Sequence, residues 1–185
     1  MAATQHSPGT ISPDRGGDAT PPMSGAEKEA RYREVRGQIA AVLEGDTDLV
    51  AGMSTIACLL DQAFPHFFWT GFYRRVGPSL LRVGPYQGTM GCLDIEFGRG
   101  VCGTCAERRQ RVIVEDVHEF PGHIACDAAS VSEIVVPVLD AEDRLIAVLD
   151  VDSTRPAAFD EVDGRWLEEI VTLLRGLDDA SVVWR

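Results

Sequence analysis

Four of the five cysteines lie where a thiol could carry redox or metal chemistry. They are Cys92, Cys102, Cys105 and Cys126. Cys126 is the best candidate for a nucleophile because it lies on a predicted loop, shortly after His123. A nearby imidazolium would favour the thiolate, whereas the adjacent Asp127 would oppose it unless that carboxyl were protonated. The alternative interpretation of this pattern is a loop thiol without a chemical role.

The spacing of the cysteines also permits a metal site. Cys102-x2-Cys105 and His123-x2-Cys126 have the spacing of zinc ligand pairs, and together they could form a structural Cys3His centre. The first pair could instead be a redox dithiol, although the βαβ pattern of thioredoxin-like motifs is missing, or it could simply begin a helix. Cys58 lies beside the apolar stripe of a predicted helix, so we expect it to be an inert core thiol.

Three acidic residues flank two neighbouring predicted strands. Asp150 and Asp152 lie two residues apart at the end of an apolar strand, so alternation places both side chains on one face. Glu133 opens the preceding strand, and the three acids could therefore meet at one end of the hairpin. Clustered carboxyl groups raise one another's pKa, and they can bind a cation or hold an ammonium group. The alternative is a solvated strand end.

An aromatic cluster lies on the first predicted strand. Its members are Phe68, Trp69, Phe72 and Tyr73. Packing in the hydrophobic core is the default interpretation of such a cluster. The alternative is the wall of a pocket that receives an apolar thioether or sulfoxide.

The periodicity of the apolar residues predicts the elements that would position these groups. Ser24 and Glu27 have capping-box spacing, and the helix that follows should end near Gly45. Asp46 or Asp48 could cap a second helix, which ends at or just before Pro65. Strands are predicted at 67–76, 80–86, 92–97, 112–114, 134–139 and 145–151, and helices at 101–109 and after Asp160.

Residues 115–130 show no periodicity, which indicates a long ordered loop or a lid. The order of elements predicts an α+β fold: a central antiparallel sheet with helices packed on one face and a capped pocket on the other. Residues 1–23 are rich in Ser, Thr, Pro, Gly and Asp, and we expect a disordered tail there. A single domain should span 24–180, followed by a short C-terminal tail at 181–185.

The composition restricts the classes of partner. With 185 residues and 45% hydrophobic residues, the chain can bury one ordinary core. A formal net charge of −12 disfavours binding to nucleic acid or to an anionic membrane surface. No apolar stretch approaches the length of a membrane helix, and the N-terminus lacks the apolar core of a signal peptide. We therefore expect a cytoplasmic protein.

Several motifs follow one another along about residues 26–175. They are Trp69-Thr-Gly-Phe-Tyr73, Gly84-Pro-Tyr-Gln-Gly88, Phe97-Gly-Arg-Gly-Val-Cys-Gly-Thr104, Asp116-Val-His-x-Phe-Pro-Gly-His-Ile-Ala-Cys126, Asp127-x-x-Ser130, Ser132-Glu-Ile-Val-Val-Pro137, Leu149-Asp-Val-Asp-Ser153 and Phe159-Asp160. This series closely resembles the GAF-domain free methionine-R-sulfoxide reductases. A generic GAF domain would share the strands but not these cysteines.

The resemblance implies a GAF-like fold, a homodimer, and free L-methionine-(R)-S-oxide as the substrate. The family's catalytic cysteine falls on Cys126, its resolving cysteine on Cys92 and its auxiliary cysteine on Cys102. The residues expected to bind the substrate are Trp69, Tyr73, Asp127, Ser130, Glu133, Asp150 and Asp152. The chain departs from the family at Cys105, where a small apolar residue is usual. That departure leaves open which cysteine resolves the reaction.

The pattern and the resemblance together suggest a mechanism. The Cys126 thiolate would attack the sulfoxide sulfur while Glu133 or Asp150 protonates the departing oxygen. Cys92 would then condense with the resulting sulfenic acid, and thioredoxin, supplied with electrons from NADPH through thioredoxin reductase, would reduce the disulfide. The acids would also pair with the substrate's ammonium group, and backbone N–H groups near Ser130 or on the lid could hold its carboxylate.

On this interpretation no cofactor and no metal is bound. Two rival interpretations stay open: a non-enzymatic GAF module that senses a small ligand, and an interaction domain stabilised by zinc.

Overall fold

The computed structural model describes residues 21–122 and 127–178. The predicted nucleophile Cys126, its neighbour His123 and most of both predicted tails lie outside these ranges. The proposed division into a tail, one domain and a second tail therefore stays a prediction.

Six strands form one antiparallel sheet. They are β1 (Trp69–Arg75), β2 (Leu80–Gln87), β3 (Asp94–Glu96), β4 (Val112–Val114), β5 (Ser132–Leu139) and β6 (Leu145–Ser153). Their order across the sheet is β3-β2-β1-β6-β5-β4, and every neighbouring pair is antiparallel. All six predicted strands are confirmed, although β3 is shorter than the predicted 92–97.

Four α-helices complete the fold, as the sequence predicts. They are α1 (Gly25–Val42), α2 (Leu49–Ala63), α3 (Gly100–Arg108) and α4 (Glu161–Val171). Ser24 and Glu27 form both halves of the capping box on α1, and the Asp48 side chain accepts hydrogen bonds from the first turn of α2. The aperiodic stretch before β5 contains a short 3-10 turn at Val117–Glu119.

The two faces of the sheet pack against different helices. Helices α1, α2 and α4 cover one face and enclose the main core, in which Phe72, Leu149 and Ile134 are completely buried. The second face carries a smaller core around α3, which buries Val101 and Cys105 against the sheet. The predicted α+β architecture is confirmed, and among the helices of residues 21–122 and 127–178 only α3 packs on the pocket face rather than on the opposite one. In the part of the chain that the structure describes, no helix is long and apolar enough to span a membrane.

A buried ion pair joins the first and last helices. The Lys28 ammonium donates hydrogen bonds to Asp163 and Asp160, and the Tyr32 hydroxyl donates a third bond of 2.8 Å to Asp163. Lys28 is 6% exposed, and Asp163 and Tyr32 are fully buried. A charge in such a place needs its partner, because removal of one member leaves the other desolvated and unpaired.

Asp163→Ala should therefore destabilise the protein by about 3–5 kcal/mol in urea denaturation. Asp94→Ala is the matched control, because Asp94 pairs with Arg82 on the surface, where an ion pair contributes only about 0–1 kcal/mol. Equal losses in the two variants would show that the Lys28 pair does not hold α1 against α4.

Candidate active site

The strand register brings the three predicted acids together on one face of the sheet. Glu133 of β5 lies directly opposite Asp152 of β6, and Asp150 lies between Val135 and Gly71 in its two neighbouring strands. Because side chains alternate along a strand, both aspartates share the face away from the main core. The sequence prediction that the acids meet at one end of the hairpin is confirmed.

A pocket opens over this face, beneath the start of α3. Its lining comprises Trp69, Tyr73, Met90, Gly91, Ile95, Arg99, Gly100, Val101, Cys102, Asp127, Ser130, Glu133, Asp150 and Asp152. The enclosed space measures about 520 Å³, part of it open to solvent. All of the predicted site residues that the structure describes line this pocket, with the exception of Cys92.

Burial of the acids favours their protonated forms. Glu133 and Asp150 are 6% and 5% exposed. Burial raises the pKa of Asp150 to about 7. Burial and the neighbouring charges of Asp150 and Asp152 raise the pKa of Glu133 well above its usual range. The pKa of Asp152 is raised by burial and by Asp150, and the Ser130 hydroxyl, which donates to its carboxylate, opposes that shift. At neutral pH the cluster therefore retains protons that it can donate.

One oxygen of this cluster lacks a partner. Asp150 Oδ1 is buried and receives no hydrogen bond from an N–H or hydroxyl group of the described residues, and the Asp150 carboxyl has the Cys102 thiol and the Glu133 carboxyl as hydrogen-bonding neighbours. An unsatisfied buried carboxyl oxygen costs free energy, so its presence on a pocket wall favours a ligand that donates a hydrogen bond there.

The aromatic cluster divides between the two faces of β1. Trp69 stacks on Tyr73 with ring centroids 5.6 Å apart and on Tyr86 at 5.3 Å, and the rings of Trp69 and Tyr73 form one wall of the pocket. The Trp69 indole N–H donates to the carbonyl oxygen of Thr89 at 3.0 Å, which fixes the ring. Phe72 points to the opposite face and lies in the main core. The pocket-wall interpretation thus fits Trp69 and Tyr73, and the core interpretation fits Phe72.

Asp127 is held by its surroundings at the rim of the pocket. The Thr89 hydroxyl donates to Asp127 Oδ2 at 2.7 Å, and the Ala129 N–H donates to Oδ1 at 2.8 Å. Both carboxylate oxygens therefore have donors without a ligand. Asp127 fixes the chain before Ser130 and ties it to the turn that precedes β3.

The described cysteines fall into three environments. Cys92 is engaged in a disulfide. Cys102 and Cys105 are buried free thiols on α3, and burial and the charges of Asp150 and Glu133 raise the pKa of both. Cys58 is a free thiol that is only half-buried, where it accepts a hydrogen bond from the Gln62 side-chain amide at 3.2 Å, so the expectation of a core residue is wrong. Cys58 is only half-buried because it lies at the edge of the apolar stripe of α2 rather than on that stripe.

The structure brings together a different set of possible metal ligands from the set predicted by the sequence. Cys102 Sγ lies 3.9 Å from Glu133 Oε1, and one atom each from Cys102, Glu133 and Asp150 lie within 4.8 Å of one another. A cation could bind these atoms, as could the ammonium group of an organic ligand. The other two ligands of the predicted zinc site, His123 and Cys126, are not among the described residues.

Sequence reasoning missed several pocket residues. They are Met90, Gly91, Ile95, Arg99, Gly100 and Val101. Gly91 is required there because a Cβ atom would lie 2.9 Å from the Tyr73 hydroxyl oxygen. Arg99 could have been recognised from the sequence, because it is a single basic residue between two glycines in the motif that precedes Cys102.

Comparison with known proteins places this site in a family. The GAF domain profile matches residues 38–175. The free methionine-R-sulfoxide reductase of Escherichia coli (strain K12) is 41% identical over 77% of this chain and 86% of its own length. GAF domain-containing protein A of Dictyostelium discoideum is 41% identical over 82% of this chain and 95% of its own. The X-ray structure of the free methionine-R-sulfoxide reductase of Neisseria meningitidis in complex with its substrate is 43% identical and superposes with a TM-score of 0.79 over 89% of this chain and 98% of that one.

The chain belongs to the GAF-domain family that includes these reductases. The resemblance seen in the sequence motifs is thus confirmed, and the reductases among the relatives indicate redox chemistry.

The raised pKa of Asp150 predicts a pH-dependent gain in stability for Asp150→Asn. In the unfolded chain an aspartate ionises near pH 4, whereas in the folded protein Asp150 ionises near pH 7. The ionisation of Asp150 therefore costs the wild-type protein stability as pH rises from 4 to 7, and the Asn variant lacks this contribution. We expect Asp150→Asn to raise the free energy of unfolding by about 1–4 kcal/mol at pH 8 and by much less at pH 4.

Urea denaturation across this pH range measures the effect. The control is Asp94→Asn, because Arg82 lowers the pKa of Asp94 and that variant should gain nothing at high pH. A gain for Asp150→Asn that is the same at pH 4 and pH 8 would contradict the raised pKa.

Burial of the two α3 thiols predicts slow alkylation. In the reduced native protein at pH 8, Cys58 should react with iodoacetamide at least about tenfold faster than Cys102 and Cys105, since the thiolate is the reactive form. Mass spectrometry of the labelled peptides measures the rates, and protein unfolded in urea is the control, in which all three should react alike. Labelling of Cys102 as fast as that of Cys58 would show that its thiol is not held protonated.

Proposed function

We propose that this protein reduces free L-methionine-(R)-S-oxide to L-methionine, with Cys126 as the nucleophile. The observation that carries the proposal is a pocket in which proton-bearing buried carboxyls face a stacked aromatic wall. The reductases named among the relatives support the same reaction.

The first half of the reaction transfers the oxygen to the protein. The Cys126 thiolate attacks the sulfoxide sulfur, and a carboxyl group protonates the oxygen as its bond to that sulfur weakens. Methionine leaves with its sulfur reduced to a thioether, and Cys126 carries the oxygen as a sulfenic acid. Glu133 and Asp150 are the proposed acids, because both retain a proton at neutral pH and both line the pocket.

The second half of the reaction restores the thiol. Cys92 attacks the sulfenic sulfur, water leaves, and a disulfide joins Cys92 to Cys126. The involvement of Cys92 in a disulfide supports its role as the resolving cysteine. An external dithiol then reduces this disulfide and is itself oxidised. We propose thioredoxin, recharged by NADPH through thioredoxin reductase, as that dithiol.

Cys102 and Cys105 are less suited to this task. Each is buried with a raised pKa, so the nucleophilic thiolate is scarce. We propose an auxiliary role for Cys102, which lines the pocket next to Glu133.

The pocket also supports selectivity for the free amino acid. Asp150 offers a buried oxygen without a partner, and Asp152 lies two residues further on the same face, so the substrate's ammonium group would find two acceptors. A methionine oxide within a peptide has no free ammonium group and would leave Asp150 unsatisfied. We propose that Trp69 and Tyr73 contact the methyl-sulfoxide end of the substrate.

We also propose that the protein is a homodimer and acts in the reducing cytoplasm. The family resemblance supports the homodimer, and the chain's reliance on free thiols supports the compartment.

The decisive experiment follows NADPH consumption with thioredoxin and thioredoxin reductase. Free methionine-R-oxide and S-oxide are offered separately. We expect turnover of the R form and little of the S form, abolished by Cys126→Ser. The matched control is Cys58→Ser, which changes the same atom on α2 outside the pocket and should retain wild-type activity.

Other outcomes would redirect the proposal. Loss of activity in both serine variants would remove the special role of Cys126. No turnover of either oxide with a competent reductant would contradict the proposed reductase activity. Tight nucleotide binding would then favour a ligand-sensing module. One tightly bound zinc ion per chain would instead favour the interaction domain stabilised by zinc.

A further inference from the structure

The charges lining the pocket are unbalanced for a free amino acid. The pocket carries four acidic side chains, Asp127, Glu133, Asp150 and Asp152, and among the described lining residues Arg99 is the only basic one. A free amino acid presents an ammonium group and a carboxylate on the same carbon atom. The acids suit the ammonium group but repel the carboxylate, which therefore needs a separate, positive contact.

The backbone near Ser130 cannot supply that contact as expected from the sequence. The N–H of Ala129 donates to Asp127 Oδ1, and the N–H of Ser130 donates to the Asp127 carbonyl at 3.4 Å. The N–H of Val131 donates to the carbonyl of Ser153 at 2.8 Å. These three donors are already used within the fold, which favours a donor elsewhere in the pocket for the carboxylate.

We propose that Arg99 and the first turn of α3 bind the α-carboxylate of the substrate. This inference rests on the proposed function and names the group that would make it specific for a free amino acid. Arg99 is the N-cap residue of α3, it is exposed, and it is one of the residues that line the pocket. Among the described residues its guanidinium has no hydrogen-bond or ion-pair partner, so its planar fork is available for a carboxylate.

The start of α3 adds a second source of positive potential. No side chain caps this helix, and the first turn of any helix carries N–H groups without intrahelical acceptors. Gly100 and Val101 of that turn line the pocket. Gly100 has a φ of 62°, a conformation that a residue with a side chain adopts only with strain.

The ammonium and carboxylate contacts converge on one end of the pocket. Cys102, in the same turn as Arg99, has its sulfur within 4.8 Å of a carboxyl oxygen of Asp150. The buried, unpartnered Asp150 Oδ1 is thus close to the helix start that carries Arg99. A guanidinium and an acceptor oxygen so placed match the carboxylate and the ammonium group on one α-carbon, and a peptide-bound methionine oxide possesses neither group.

The test measures binding rather than turnover. Calorimetric Kd values are determined for methionine-R-oxide and for its carboxamide, which keeps the ammonium group but has no carboxylate. The full-length chain carries Cys126→Ser to prevent reaction, alone or with Arg99→Gln, Arg99→Lys or Arg108→Gln. Arg108 is the matched control because it lies at the other end of α3 and outside the pocket lining.

Arg99→Gln should weaken binding of the free oxide by about ten- to a hundredfold and change binding of the carboxamide by less than about twofold. Arg99→Lys should restore part of the loss, and Arg108→Gln should change neither ligand. If the ratio of the two Kd values stays the same in Arg99→Gln, or if neither ligand binds the parent protein, the assignment of Arg99 is overturned. Discrimination by Arg99 in a protein that shows no reductase turnover would uphold the carboxylate site and reject the proposed reaction instead.

Discussion

The register between β1, β6 and β5 places three carboxyl groups on one buried face of the sheet, and the rest of the site depends on this constraint. Glu133 opposes Asp152, and Asp150 lies two residues along the same strand face. Ionised carboxylates this close and this buried would repel one another and lose their hydration. Retention of protons lowers that cost, which is why the pKa values of all three acids are raised. Burial of the three acids lowers the stability of the fold, and in return the cluster provides proton donors at neutral pH.

The surrounding elements have separate duties around this cluster. Helices α1, α2 and α4 bury the opposite face of the sheet and supply the main core, so the pocket face need not carry the stability of the domain. Helix α3 covers the cluster, excludes water from Glu133 and brings Cys102 beside it. The same burial keeps the Cys102 thiol protonated, which makes it a poor nucleophile.

Local patterns in the sequence were sufficient for the elements and for much of the site. Capping residues such as Ser24 and Asp48 mark helix starts through contacts within one turn, so they can be recognised from the sequence. The alternation of Asp150 and Asp152 predicted their common face because side chains along a strand have a period of two. The motif resemblance carried the assignment of Trp69, Tyr73 and Glu133 to a pocket.

Long-range geometry was not legible in the sequence. Nothing local to Asp150 indicates that it faces Gly71, whose lack of a side chain admits Tyr86 at that place. The side on which α3 packs, and hence the presence of Arg99 in the pocket, depends on the chain path after β3. The contact of Thr89 with Asp127 joins residues far apart in sequence, and Asp127 also accepts from the Ala129 N–H, one of the groups near Ser130 that were expected to bind the ligand. The burial of Cys58 was predicted wrongly because neighbouring positions around a helix can lie in the core or at its edge.

The central claim is that the acid cluster keeps a proton at neutral pH, and its most direct test is an NMR titration of the side-chain carboxyl carbons. Uniformly labelled protein would be followed from pH 4 to pH 9, with Glu133→Gln, Asp150→Asn and Asp152→Asn used to assign the three signals. The account predicts that at least one carboxyl of the three stays protonated above pH 7 and that removal of Asp150 lowers the pKa of the other two. Titration of all three near pH 4, like exposed carboxyls, would contradict it.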